Sequence, residues 1–276
     1  MSDVVRAGVV GWPIAHSRSP LIHGYWLRSY GIDGSYSKIA VKPDEARTFF
    51  KGLSQRGLAG CNVTVPHKEI ALACAEEPEP AAVAIGAANT LWLENGRLRA
   101  TNTDVYGFMT HLERTAADWA TQDRPVVVLG AGGSARAIVY GFIQAGCGRV
   151  VLLNRTRSRA EVLATHFGSK VRVVEWSARN SVLEGVGILV NTTTLGMAGG
   201  EELDLDLHAL PGSAVVADIV YTPLETGLLR QARLRGLRCV DGLGMLLHQA
   251  VPGFEKWFGR RPEVTPELRA LVEADL

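Results

Sequence analysis

Short apolar runs alternate with amphipathic segments along the whole chain. An apolar run of about four to eight residues between turn-forming residues is typical of a buried strand, whereas apolar residues three and four apart indicate a helix. The order strand, helix, strand, helix, strand in the first third predicts a parallel sheet covered by helices. Its predicted elements are strands at 4–10, 36–41 and 60–65, a helix that begins at Pro20 and a helix at 43–55.

The pattern next predicts a hairpin between two helices. Asn95-Gly96 is a two-residue sequence that favours the tight turn of a hairpin. The polar loop 121–125 marks a candidate domain boundary because a new buried strand follows it. The other elements predicted here are a helix at 68–75, a loop at 76–80, a return strand at 98–101 and a helix at 105–120.

From residue 126 onward, strands and helices alternate in a regular order that predicts a second parallel sheet. The last part of the chain is helical again, in two segments separated by a proline-containing loop. The predicted strands are 126–129, 149–153, 171–174, 187–190, 215–218 and 237–240, and the predicted helices end near 145, span 158–167 and 224–235, follow 241–245 and end at 276.

Composition narrows the class of protein. A length of 276 residues predicts two domains, and 47% hydrophobic residues, 21% charged residues and a net charge of +1 indicate neither nucleic-acid nor membrane binding. The chain has no apolar run near the ~18 residues of a membrane-spanning helix and no signal-peptide layout, so we expect a cytoplasmic protein. Neither the cysteines nor the histidines have metal-ligand spacing, which predicts reduced thiols and no metal.

The glycine-rich segment 130–135 carries the clearest chemistry. Gly130 suits the tight turn after a buried strand, Gly132 lets the backbone approach a pyrophosphate, and Ala135 allows close packing of the next helix. The free N–H groups at the start of that helix would hold the phosphates. Ordinary strand-to-helix turns also use glycine, so this segment alone leaves both interpretations open.

The segment after the next strand indicates which dinucleotide would bind. Asn154 stands where a fold that binds NAD would place an acid for the ribose 2′-hydroxyl. Thr156 and the guanidinium groups of Arg155, Arg157 and Arg159 suit a 2′-phosphate instead. The sequence therefore favours NADP, while a merely exposed helix start remains the alternative for Arg157 and Arg159.

Candidate chemistry in the first third lies where strands end. Lys68 follows such an end, where parallel sheets bind ligands, although a surface lysine at a helix start fits the position equally. Ser19 before Pro20 is a candidate helix N-cap, and Ser17 and Ser19 together could bind a carboxylate. Asp104 is likewise a candidate N-cap whose carboxylate could also be functional.

Seven segments match one pattern in order, and in their combination the chain resembles the shikimate dehydrogenase family. The resemblance implies an α/β fold of two domains, an N-terminal α/β substrate domain and a Rossmann-like NADP-binding domain with a cleft between them. The substrate domain would comprise 1–104 plus 240–276, and the NADP domain 105–239. The matching segments are His16–Pro20, Asn62–Lys68, Ala88–Thr90, Asn102–Asp104, Gly130–Ala135, Asn154–Thr156 and Asp241–Met245.

The resemblance also implies roles for individual residues. Lys68 and Asp104 would be the catalytic pair, because moving hydride to or from the substrate's C3 requires a proton to move on or off its oxygen. The substrate carboxylate would bind Ser17 and Ser19 near Tyr221, and the ring hydroxyls would also contact Thr64, Asn89 and Gln249. The implied cofactor residues are Gly130, Ala131, Gly132, Gly133, Ser134, Ala135, Asn154, Arg155, Thr156, Arg159, Thr193, Ile219 and Gly242.

The implied activity is the NADP-dependent, reversible reduction of 3-dehydroshikimate to shikimate in aromatic amino-acid biosynthesis. The Ser17 and Ser19 pair and the missing acid at Asn154 favour shikimate with NADP over quinate with NAD. Quinate or dual activity and a non-catalytic NADPH sensor are the alternatives. We expect a small-molecule substrate, no nucleic-acid or membrane partner, and a monomer or homodimer.

Overall fold

The computed structural model describes residues 4–121 and 124–276, and the chain divides into two compact units. The first unit ends at Asp104 and resumes over Gln249–Asp275, whereas the second spans Val105–His248. Two residues of the predicted boundary loop, Gln122 and Asp123, lie outside the described residues.

A mixed six-stranded sheet forms the centre of the first unit. Its strands are β1 (Val5–Gly11), β2 (Gly34–Ala40), β3 (Gly60–Val63), β4 (Glu77–Pro78), β5 (Thr90–Glu94) and β6 (Arg97–Thr101). They lie in the order β2-β1-β3-β5-β6-β4. The neighbours of β1 run parallel to it, whereas β5 is antiparallel to β3 and β6. Asn95 and Gly96, both with positive φ, form the tight turn that makes β6 antiparallel to β5.

Four helices of the first unit accompany this sheet: α1 (Ser19–Tyr30), α2 (Ala46–Lys51), α3 (Lys68–Cys74) and α4 (Pro80–Ile85), with a 3₁₀ turn at Ser54–Arg56. The helix predicted at 43–55 is shorter than expected because Gly52 ends it. The predicted loop 76–80 contains the two-residue strand β4 and the first residue of α4.

The second unit contains a fully parallel six-stranded sheet. Its strands are β7 (Val126–Leu129), β8 (Val150–Leu153), β9 (Val171–Val174), β10 (Ile188–Asn191), β11 (Val215–Asp218) and β12 (Arg238–Val240). Their order β12-β11-β10-β7-β8-β9 is that of a doubly wound, Rossmann-like fold. The predicted α/β class with a Rossmann-like part is confirmed.

The remaining helices are α5 (Asp104–Thr115), α6 (Gly133–Gln144), α7 (Arg157–Phe167), α8 (Gly227–Leu234), α9 (Gly242–Phe258) and α10 (Pro266–Glu273), with 3₁₀ turns at Trp119–Thr121, Gly168–Lys170 and Trp176–Ala178. Helix α8 starts later than predicted because Thr226 caps it by accepting the N–H of Leu229. None of the helices in the described ranges is both long and apolar enough to cross a bilayer.

Apolar side chains cover both faces of the second sheet. Val126 and Val128 belong to one buried cluster, and Val127 and Leu129 belong to another. Successive residues of a strand point to opposite faces, so a strand buried on both sides must be apolar at every position. This requirement explains why the continuous apolar runs predicted these strands well.

Candidate active site

Polar residues gather at one edge of the first unit's sheet. The chain after β1 leads to β2 on one side, whereas the chain after β3 leads to β4, β5 and β6 on the other side, so the chain diverges at the adjacent ends of β1 and β3. Ligands of α/β proteins bind at such divergence points. Strand β5 starts and β6 ends at the same edge, because β5 is antiparallel to both of its neighbours. The topology brings to this edge the predicted residues Ser17, Ser19, Thr64, Lys68, Asn89 and Asp104.

Lys68 and Asp104 form an ion pair at this edge. The Lys68 Nζ lies 2.5 Å from Asp104 Oδ2, and the two side chains are 20% and 9% exposed. Lys68 is the first residue of α3, whereas Asp104 is the first residue of α5 and not the N-cap before it. The other carboxylate oxygen of Asp104 accepts a 2.8 Å hydrogen bond from Asn89 Nδ2. Both oxygens therefore have side-chain donors from elsewhere in the chain.

The amide of Asn89 is fixed in orientation. Its Oδ1 accepts three hydrogen bonds: from the Thr103 N–H at 2.7 Å, the Thr103 hydroxyl at 3.1 Å and the Thr90 hydroxyl at 3.0 Å. An oxygen surrounded by three donors leaves the Nδ2 end of Asn89 directed at Asp104. Sequence reasoning missed Thr90 and Thr103, although both lie next to residues that it selected.

Asn62, a buried polar residue within β3, extends this network toward Ser19. Its Nδ2 donates to the Asn89 carbonyl oxygen at 3.2 Å and to the Thr90 hydroxyl at 3.1 Å. Its Oδ1 accepts from the Tyr36 hydroxyl at 2.7 Å. Burial raises the pKa of Tyr36 well above its ordinary range, while a hydrogen bond with Ser19 lowers it. An amide inside an otherwise apolar strand was the sequence signal that could have identified Asn62.

The aromatic ring of Tyr36 stacks on His23 at 3.9 Å between centroids. His23 lies one helical turn after Ser19 in α1 and is fully buried. Burial lowers the pKa of His23 to about 3, so this ring is neutral near pH 7. The two buried rings near Ser19, those of Tyr36 and His23, are consequently uncharged near pH 7.

Ser17 precedes α1 and Ser19 is its first residue, so the interpretation of Ser19 as the N-cap is wrong. The cap position is Arg18, whose backbone is already helical, and the Ser17 Oγ accepts the Ser19 N–H at 3.3 Å. The helix starts one residue earlier than expected because the Arg18 carbonyl accepts N–H bonds from Leu21 and Ile22. Ser19 is therefore the first residue of the helix and is buried.

The remaining predicted substrate residues lie in different parts of the chain. Thr64 directly follows β3, where its N–H donates to Val10 O at 2.9 Å. Gln249 is half-buried in the part of α9 that belongs to the first unit. Tyr221 is half-buried in the second unit, three residues after β11.

The second unit carries the predicted phosphate loop between β7 and α6. Gly130 has φ +108°, and Gly132 is the N-cap of the twelve-residue helix α6. A Cβ built on Gly132 or on Gly133 would meet no atom of the described residues within 4 Å, so both glycines face open space. Ala135 is fully buried against the sheet. Ala131 and Ser134 are half-buried beside them.

Three further predicted cofactor residues lie at the same carboxyl edge of this sheet. Thr193 follows β10 and Ile219 follows β11. A Cβ on Gly242, the first residue of α9, would lie 2.3 Å from Ile219 O. Only glycine therefore allows α9 to start so close to the Ile219 backbone.

The segment predicted to hold a 2′-phosphate is half-buried at Asn154 and exposed from Arg155 to Arg159. Asn154 Nδ2 donates to Thr156 O at 2.8 Å, and Thr156 is the N-cap position of α7. Arg155 forms a 2.9 Å ion pair with Glu201. Arg157 pairs with Glu161 and Glu175, which supports its structural interpretation.

Arg159 differs from its neighbours. It is exposed and has no side-chain hydrogen bond or ion pair with any residue in the described ranges. This arginine in the first turn of α7 therefore offers an uncommitted guanidinium group, the fork-shaped donor that suits a phosphate.

Family comparison assigns almost three-quarters of the chain. Residues 9–91 match the shikimate dehydrogenase substrate binding domain, and residues 112–196 match shikimate / quinate 5-dehydrogenase. The C-terminal domain of shikimate 5′-dehydrogenase matches residues 242–271. The chain belongs to the shikimate dehydrogenase family. The predicted resemblance is confirmed.

Individual relatives agree with this assignment to the shikimate dehydrogenase family. The shikimate dehydrogenase (NADP(+)) of Nitrobacter winogradskyi is 57% identical over 98% of this chain and 96% of its own length. A shikimate 5-dehydrogenase of Thermus thermophilus, solved in complex with NADP(H) and shikimate, is 35% identical with a TM-score of 0.87, covering 99% of this chain and 100% of its own. The quinate dehydrogenase of Corynebacterium glutamicum, solved in complex with NAD, is 28% identical with a TM-score of 0.90, covering 98% and 99%.

Proposed function

We propose that this chain catalyses the reversible, NADP-dependent reduction of 3-dehydroshikimate to shikimate. The observation that carries the proposal is the Lys68–Asp104 pair, held by Asn89 at the edge of the first sheet in a member of the shikimate dehydrogenase family. The reaction would serve aromatic amino-acid biosynthesis, as the resemblance to the family implies.

Proton transfer is the role we assign to Lys68. When bound, NADPH supplies the hydride that reduces the C3 carbonyl of the substrate. Lys68 Nζ donates the matching proton to the C3 oxygen and takes it back in the reverse reaction. Asp104 holds the ammonium group at 2.5 Å, so Lys68 keeps a defined position while the proton moves.

Hydroxyl and amide groups bind the rest of the substrate in this proposal. Ser17, Ser19 and Tyr221 bind the carboxylate, because their hydroxyl groups can donate hydrogen bonds to its oxygens. The ring hydroxyls bind Thr64, Asn89 and Gln249 together with the catalytic pair.

NADP binds the second unit in this proposal. The pyrophosphate takes the open space at Gly132 and Gly133, among the loop residues 130–135. Asn154, Arg155, Thr156 and Arg159 hold the 2′-phosphate, supported by the uncommitted guanidinium group of Arg159. Thr193, Ile219 and Gly242 flank the nicotinamide.

The proposal includes the division of labour between chain segments. Residues 1–104 plus 240–276 form the substrate domain and residues 105–239 the NADP domain, and Tyr221 and Gly242 are the two assigned residues whose ligand belongs to the other domain. We further propose a cytoplasmic monomer or homodimer, in keeping with four free cysteines.

An absorbance assay of NADP reduction tests the function. Wild-type protein is expected to reduce NADP⁺ with shikimate and not without an acid. Lys68→Ala should lower kcat by about 10²- to 10⁴-fold, because the proton loses its donor and acceptor. The exposed Lys42 of the same unit provides the control, since Lys42→Ala should keep wild-type turnover.

Three results would contradict the proposal. Wild-type turnover by Lys68→Ala would exclude the assigned proton transfer. A higher kcat/KM with quinate would favour quinate dehydrogenase, a candidate supported by the fold similarity to a quinate dehydrogenase. NADPH binding without turnover of either acid would indicate a sensor.

A further inference from the structure

Asp218, a buried acid that the proposed chemistry does not use, lies at the end of β11. It is 1% exposed, and its neighbours Asn191 and Thr226 are fully buried. Asn191 ends β10, and Thr226 is the N-cap of α8. These three side chains join the ends of two adjacent strands to the start of a helix.

Every donor to the Asp218 carboxylate that the structure describes is a neutral group. Oδ1 accepts from Asn191 Nδ2 and from the Val220 N–H, both at 3.0 Å. Oδ2 accepts from the Thr226 hydroxyl at 2.8 Å. Burial raises the pKa of Asp218 to about 6, while these hydrogen bonds lower it. Burying a carboxylate among neutral groups lowers the free energy of unfolding relative to an apolar side chain of similar size.

The side-chain amide of Asn191 connects Asp218 to the loop after β10. Its Oδ1 accepts from the N–H of Thr193 at 3.0 Å and from the Thr193 hydroxyl at 2.7 Å. Its Nδ2, besides donating to Asp218, donates to Leu195 O at 3.1 Å. Because Asp218 fixes which end of the amide is the donor, it also fixes how Thr193 is held.

The loop after β11 is held by the same carboxylate. The bond from the Val220 N–H to Asp218 Oδ1 closes a tight turn around Ile219. Ile219 N–H in turn donates to Asn191 O at 3.1 Å. Asp218 Oδ1 is therefore a common acceptor: it holds the Ile219 turn directly, through the Val220 N–H, and the Thr193 loop indirectly, through Asn191.

We propose that Asp218 is a positioning residue for the nicotinamide half of NADP, acting through Asn191 and the Val220 N–H on the loops that carry Thr193 and Ile219. The inference rests on the proposed function, which assigns those two residues to the nicotinamide end. Asp218 itself is buried and would act without touching the cofactor.

Comparison of two ligands separates this role from general loosening of the unit. NADP⁺ contains the nicotinamide, whereas 2′,5′-ADP contains only the adenosine and 2′-phosphate half. Calorimetric titration of Asp218→Ala should show Kd for NADP⁺ raised by about tenfold or more, because the Asn191 amide and the Val220 N–H lose their buried acceptor. Kd for 2′,5′-ADP should stay within about twofold of wild type, because Arg155 and Arg159 are unchanged.

Two further variants keep the test independent of one substitution. Thr226→Val removes the donor to Asp218 Oδ2 and should reproduce the selective loss, whereas Thr226→Ser keeps the hydroxyl and should bind both ligands as wild type does. Asp206→Asn changes an exposed acid of the same unit, which accepts the His208 N–H, and should alter neither Kd.

An equal loss of affinity for both ligands in Asp218→Ala and Thr226→Val would overturn the proposal in favour of a purely structural role. Unchanged NADP⁺ affinity in both variants would overturn it as well. Wild-type protein that binds neither ligand would overturn the proposed function and this inference with it, an outcome visible before any variant is made.

Discussion

The two carboxylate oxygens of Asp104 have different tasks. Oδ2 faces the Lys68 ammonium group, and Oδ1 faces the amide of Asn89, whose own oxygen is bonded to Thr90 and Thr103. Rotation of the carboxylate would break both bonds at once. The position of Lys68 is therefore set by a series of neutral groups as well as by charge.

Replacement of Asp104 should affect turnover more than cofactor binding. Asp104→Asn removes the negative charge but keeps the shape, so Lys68 loses its ion pair and its fixed position. We expect kcat to fall by about 10²-fold or more in steady-state assays. Kd for NADP⁺ should stay unchanged because the assigned NADP residues belong to the second unit. Asp44→Asn, an exposed acid of the first unit, is the control; a variant that retains full kcat would remove Asp104 from the mechanism.

Asp218 should make stability depend on pH in an unusual direction. Burial raises its pKa from 3.8 to about 6, so the folded protein binds this proton more tightly than the unfolded chain does. The resulting stabilisation is full below the unfolded pKa and is lost as pH rises through about 6. Between about pH 5 and about pH 8 we expect wild type to lose about 1 kcal/mol relative to Asp218→Asn in urea unfolding. A pH-independent difference between the two proteins would contradict this expectation.

At the scale of elements, the hydrophobic pattern predicted the apolar strands of the second sheet and missed the shortest strand of the first. The strands 126–129, 171–174 and 215–218 were predicted with the bounds that the structure has, because each is a short, mainly apolar run bounded by polar or turn-forming residues. Strand β4 has only two residues, too few to show any period, and its pairing with β6 is a tertiary contact. The start of α8 depends on the Thr226 cap, which a hydrophobic pattern does not contain.

A side chain at Gly130 should destabilise the turn between β7 and α6. Its φ of +108° disfavours other residues, and a Cβ there would lie 2.5 Å from the Thr192 hydroxyl oxygen. Gly146→Ala is a matched control, because Gly146 has φ +88° but no described atom within 4 Å of a Cβ. Each substitution should cost about 1–3 kcal/mol in backbone strain, measured by urea unfolding. Gly130→Ala should lower the free energy of unfolding more than Gly146→Ala does, and it should also weaken the binding of 2′,5′-ADP. Equal losses of stability would show that the Thr192 contact is unimportant.

At the scale of the whole molecule, the residues assigned to substrate and cofactor lie between positions 17 and 249. The sequence identified most of them because they belong to short segments with recognisable motifs. What the sequence could not predict is the set of polar side chains that hold those segments in place. Asn62, Thr103, Asn191 and Asp218 find their partners through the fold, some of them more than 25 residues away along the chain. Their hydrogen bonds depend on which strands become neighbours, and a single sequence does not state strand order.

Cofactor choice is the property of the whole enzyme that one exposed residue should control. Arg159 has no side-chain partner among the described residues, so its loss disturbs no contact of the free protein, while a bound 2′-phosphate would lose a charged donor. We expect Arg159→Gln to lower kcat/KM for NADP⁺ by about 10- to 100-fold, the effect of one hydrogen bond between charged groups. Activity with NAD⁺, which lacks the phosphate, should change little. Arg172→Gln, an exposed arginine on β9, should alter neither value. Parallel losses with both dinucleotides would mean that Arg159 contacts a part of the cofactor that NAD⁺ and NADP⁺ share, and that another group reads the 2′-phosphate.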